Sequence, residues 1–150
     1  MPGLPDNVWL LKIDDPSEFT RPFPAPGYAL LLIAREACIT PEVCGDLPDR
    51  IVRSGCRYAV CFGPGSSLWD DAIDWVVGMD EVDGHPSPLV MTTWHDDEGL
   101  AETVDFFFRH ARTIDWEPEQ FLILILRGTD ADEEEVRSLV ADWFSNPSPH

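Results

Sequence analysis

Lysine is nearly missing from this chain. Its 150 residues hold one Lys and nine Arg against 28 Asp and Glu, for a formal net charge of −18. Phosphate recognition needs a basic stripe, so direct binding of DNA or RNA is excluded and an anionic membrane surface is disfavoured. No run reaches the ~18 apolar residues of a transmembrane helix. Met1 to Asp14 lacks the basic start of a signal peptide, so a cytoplasmic protein with reduced thiols is expected. The four cysteines, at 38, 44, 56 and 61, show no C-x-x-C spacing, and neither a metal nor a cofactor is expected. No G-x-S-x-G elbow is present to expose a serine nucleophile. Nor is there a Walker lysine, since the one Lys is Lys12.

Enough apolar material remains for a core: 44% hydrophobic and 11% aromatic residues. The length fits one α/β domain, with residues 1–27 as an edge strand plus Pro-rich extension and 28–144 as the core. Short apolar runs at 8–13, 28–34, 57–62, 89–94 and 121–126 predict strands; the all-apolar 28–34 and 121–126 predict strands buried on both faces. The segment 14–27 holds four prolines and predicts an extended connection.

Helices are predicted between the strands. Thr40-Pro41 opens one that runs to Arg53, kinked at Pro48 or restarted at Asp46, and Gly55 supplies a left-handed stop. A second follows Gly63–Ser67, capped by either Ser; its stripe is Trp69, Ala72, Ile73, Val76 and Val77, with Asp70, Asp71 and Asp74 opposite. A third runs from about Glu98 to Ala111, capped by Asp96 or Asp97, with Leu100, Val104, Phe107, Phe108 and Ala111 inward. The last spans about Ala131 to Phe144 behind an Asp130/Glu133 capping box.

Alternation of strands and helices predicts a three-layer α/β sandwich: a mostly parallel sheet of four or five strands, helices on both faces, Rossmann-like or flavodoxin-like. The expected order sets 28–34 between 57–62 and 89–94, with 121–126 outside and 8–13 at an edge. Ligands of such sheets bind beyond the carboxyl ends of the strands. That gathers Arg35–Cys38, Gly63–Ser67, Thr93–Asp97 and Arg127–Asp130 on one rim.

Candidate ligand-facing residues on that rim are Gly63, Gly65, Ser66, Thr93 and Trp94. The Gly63–Ser67 turn can aim amide groups at an anion, although Leu68 stands where G-x-G-x-x-G needs its third Gly. His95, Asp96 and Asp97, helped by Glu36 and Ser66, supply a general base or metal ligands in an enzymatic reading. The simpler reading makes the acids helix caps and His95 a loop residue. Cys44 to Arg50 matches C-x5-R, but two Asp and a Pro inside it oppose a phosphate.

The stretches YAVCFGPGSSLWDDAIDW and LVMTTWHDDEGLAETVDFFF resemble a set of small uncharacterised bacterial α/β domains over roughly residues 28–144. The resemblance implies a Rossmann-like fold and transfers no catalytic residue. With an incomplete catalytic set, strong acidity and several Trp beside Asp, the expectation is a non-enzymatic acidic module of the antitoxin, immunity or defence-accessory type. Its partner is a basic protein. The alternative is a small-ligand or metal-dependent enzyme working at the rim. A third reading has a second copy of the chain covering an exposed face as a homodimer.

Overall fold

The computed structural model describes residues 4–24, 27–35, 41–85 and 88–145, with 41–44 described by backbone alone. Strands β1 (Val8–Ile13), β2 (Tyr28–Ala34), β3 (Cys56–Phe62), β4 (Met91–His95) and β5 (Phe121–Leu126) form one sheet in the order β1-β5-β2-β3-β4. Every pairing is parallel. Helices α1 (Pro41–Arg53), α2 (Ser66–Val82), α3 (Leu100–His110) and α4 (Asp130–Ser145) alternate with β2 to β5. Among the described residues no helix is long and apolar enough to cross a membrane.

The three-layer prediction holds. One core lies under α1 and α2, where Leu47, Ile51, Trp69 and Ile73 meet Leu30, Leu32, Leu122 and Leu124. The other lies under α3 and α4, where Val104, Phe107, Val136 and Val140 meet Leu31, Ile33, Ile123 and Ile125. Adjacent strand residues feed opposite cores, as the two-residue period requires. The sheet places β2 and β5 inside, and both are buried at every position.

The strand order corrects the expectation. β5, not β4, lies beside β2, and β4 is an outer edge. The reason is solvation. A central strand under helices on both faces must be apolar throughout, as FLILIL is. β4 (MTTWH) carries two threonines and leaves Met91 and Trp94 exposed, which suits an edge.

Cap positions also move. The α2 N-cap is Gly65, so Ser66 falls inside the first turn and faces the core instead of capping. Gly99, not Asp96 or Asp97, is the N-cap of α3. At α4 the reciprocal pair is Thr129 with Asp132: Asp132 N–H donates to Thr129 Oγ1, and Thr129 N–H donates to Asp132. Asp130 instead binds Lys12 at 2.5 Å. Within 14–27, Pro16–Glu18 forms one 3-10 turn with Asp15 as its cap. α1 continues through Pro48. Cys44–Arg50 therefore lies inside one helix, and Arg50 pairs with Asp46 at 3.0 Å.

Candidate functional site

Parallel strands bring their carboxyl ends to one edge, and there the β3–α2 turn meets the end of β4. Gly63 N–H donates to the His95 carbonyl at 3.1 Å. Gly63 has φ +124°, and a Cβ on it would sit 1.8 Å from the Ala34 carbonyl oxygen, so this close approach demands glycine. The turn is closed on itself: Ser66 N–H donates to Gly63 O, while Leu68 and Trp69 N–H donate to Gly65 O. Those amides are committed to the protein.

The expected rim residues divide between the two faces of the sheet. His95 turns toward α3, its ring 4.6 Å from that of Phe106. Ser66 belongs to α2, on the other face, with its hydroxyl fully buried and unpartnered in the described structure. Asp96 and Asp97 are exposed, and Trp94 is 55% exposed. Glu36 and Cys38 lie outside the described residues. No group of three His, Cys, Asp or Glu side chains able to hold a metal occurs among the described residues.

His95 itself is buried and bonded at both ring nitrogens: Nε2 to Thr93 Oγ1 at 3.0 Å and Nδ1 to Glu98 Oε1 at 2.9 Å. Thr93 and His95 share a face because they are two residues apart on a strand. Glu98 reaches back from the loop before α3. The result is a carboxylate–imidazole–hydroxyl chain, a proton relay in composition and a brace for the 95–98 loop in effect.

A second polar cluster joins α2 to β4. Thr92 Oγ1 lies 3.0 Å from Asp70 and 3.1 Å from Asp74. Asp70 is thus buried, contrary to the expectation that it faces solvent with Asp71 and Asp74. It lies one residue past Trp69, about 100° around the helix, and that turn points it at the edge strand. Burial raises its carboxyl above the usual range, Asp74 adds to this, and the Thr92 hydrogen bond opposes it. Burial also pushes the Cys56 thiol up to about 12 and raises Cys61.

A concavity lies elsewhere, a groove of about 890 Å³ between α1 and α2. Leu68, Ala72, Trp75, Val76 and Met79 give it apolar substance, and Asp46, Asp49, Asp71, Asp80 and Asp83 give it charge. Arg53 is the one cation among the described lining residues. Its guanidinium is held by both Asp80 oxygens at 2.6 Å and by Asp49 at 3.2 Å. That bidentate pair ties α1 to α2 at one end of the groove.

Trp75 is 69% exposed and Leu68 52% exposed, beside Met79 and Val82, which are also open to solvent. Sequence reasoning missed this site. The signal was a second apolar row on α2, Leu68, Trp75, Met79 and Val82, outside the stripe used by the core. The tryptophans divide: Trp69 is fully buried, Trp116 and Trp143 are half-buried, and Trp75 and Trp94 are exposed.

No curated protein and no solved structure matches the chain. One family does match, over residues 8–143, which takes in all five strands and nearly all of α4. The chain therefore belongs to the family described as domain of unknown function DUF7684.

Proposed function

We propose that this protein is a non-enzymatic acidic docking module whose partner is a basic protein, acting in the bacterial cytoplasm in an antitoxin, immunity or defence-accessory role on a Rossmann-like scaffold. One observation carries the reading: the α1–α2 groove combines exposed Trp75, Leu68 and Met79 with a rim of aspartates. Exposed aromatic anchors in a concave site are the usual centre of a protein interface. A charged rim of one sign speeds and selects the encounter. A chain with net charge −18 extends that field over the whole surface.

The test is capture from the native host at moderate and at high salt, using wild type and Trp75→Ala side by side. The reading requires a basic protein that wild type retains, that high salt weakens, and that Trp75→Ala loses. Absence of a retained partner at either salt, or equal capture by the variant, removes its support.

A second reading rests on the Thr93–His95–Glu98 relay. A hydroxyl joined through imidazole to a carboxylate suits proton transfer to a small ligand at the rim. Native mass spectrometry of protein purified without chelator decides it. A bound ligand or metal lost in His95→Ala supports rim chemistry; an empty wild-type protein counts against it.

A further inference from the structure

We infer that the α1–α2 groove receives one amphipathic helix of the basic partner, laid lengthwise along α2; this rests on the docking reading above. The first ground is spacing. Leu68, Ala72, Trp75, Met79 and Val82 follow one another at intervals of four, three, four and three residues. That is the seam of a heptad, with the mean period of 3.5 that keeps a row of side chains facing a neighbouring helix. Four of the five are exposed large apolar residues, so the seam has no occupant within the described chain. It runs about 21 Å along the helix axis, which calls for a partner helix of about four turns.

The second ground is the backbone. The groove walls are two helices, whose main-chain groups bond within themselves. They offer a guest side chains and no ladder. An extended segment buried there would leave its own N–H and C=O groups unpaired, whereas a helix arrives with its backbone satisfied. A strand-like guest would instead suit the open edge of β4, away from this groove.

The third ground is charge. Asp46 and Asp49 stand on the α1 wall, with Asp71 and Asp83 on the α2 side. Arg53 is already answered by Asp49 and Asp80. A guest helix with Arg or Lys flanking its apolar row meets acid on both sides. A second copy of this chain would bring the same aspartates and a further −18, so it is the wrong occupant.

Gly45 lies on the α1 wall, and a Cβ built there meets nothing within 4 Å. Gly45→Leu therefore adds bulk at the groove wall from a Cβ that stands in open space. It also replaces a poor helix former, so it should not unfold α1.

The experiment uses the full chain and three synthetic peptides of about 16 residues, labelled for fluorescence anisotropy. One carries Leu at four-three spacing with flanking Arg; one is its scrambled isomer; one is the seam peptide with two central prolines. The seam peptide should bind saturably and gain helical circular dichroism, and the other two should bind at least roughly tenfold more weakly. Trp75→Ala and Gly45→Leu should each weaken the seam peptide by at least roughly tenfold, while Gly45→Leu keeps or raises the urea midpoint. Equal binding of seam and scrambled peptides overturns the helix inference, as does preference for the proline peptide. Either result leaves the docking reading to stand or fall on host capture.

Discussion

Trp69 and Trp75 lie six residues apart on α2 and should behave as opposites. Trp69 is fully buried, and a tryptophan hides roughly 150–250 Å². Its truncation to alanine should cost roughly 3–5 kcal/mol, combining lost transfer energy with the cavity left behind. Trp75 is 69% exposed, so less than a third of its surface is covered. At about 25 cal/mol per Å² that is roughly 1–2 kcal/mol, and an unfolded chain that is already partly compact lowers it to about 1 kcal/mol. Urea unfolding of wild type, Trp69→Ala and Trp75→Ala at equal m-value reads both numbers. The ordering matters more than either value. If Trp75→Ala loses as much stability as Trp69→Ala, then Trp75 is a packing residue, the groove is closed in solution, and the interface argument fails.

Other outcomes follow from single contacts. Gly63→Ala forces a Cβ against the Ala34 carbonyl at φ +124° and should cost roughly 2–3 kcal/mol in urea or thermal unfolding; a neutral result would mean the β3–α2 turn is differently built. Asp70 has a raised carboxyl, chiefly through burial, so the folded state holds its proton more tightly than the unfolded chain does. Its contribution is complete below the ordinary 3.8 and is lost as pH rises through the folded value. Asp70→Asn should therefore be more stable than wild type at neutral pH, with the gap closing on acidification; a gap that widens in acid would contradict the burial. Cys56 and Cys61 are buried with raised thiols and should resist alkylation in folded protein, then react in urea. Peptide mapping checks each cysteine separately, and rapid native labelling of Cys61 would mean the sheet is open there.

The fold was legible because the strong signals agree. The runs at 8–13, 28–34 and 121–126 have the same bounds in the structure, and Gly55 ends α1 with φ +97° as its position implies. Strand order failed because adjacency depends on solvation of whole strands, and polar Thr93 reads as chemistry before it reads as the mark of an edge. Caps slipped by one to three residues because Ser, Thr, Asp and Gly compete for them locally, and helix packing decides between neighbours. At the rim, the parallel topology put His95 and Ser66 on one edge, but their side chains turn to opposite faces of the sheet. The groove was the harder matter. Both apolar rows of α2 have helical periodicity, and only the sheet reveals which row it covers. Counting more apolar positions on α2 than one buried face can use would have exposed the second row.

The central claim is that the α1–α2 groove, and no other part of the surface, is where a partner seats. The direct measurement is the set of indole N–H resonances, assigned by substitution, during titration with the seam peptide. Trp75 should shift progressively and saturate. Trp94, also exposed but outside the groove, and buried Trp69 should stay within small changes. A stationary Trp75 alongside a shifting Trp94 would contradict the account, because the contact would then lie on the β4 rim.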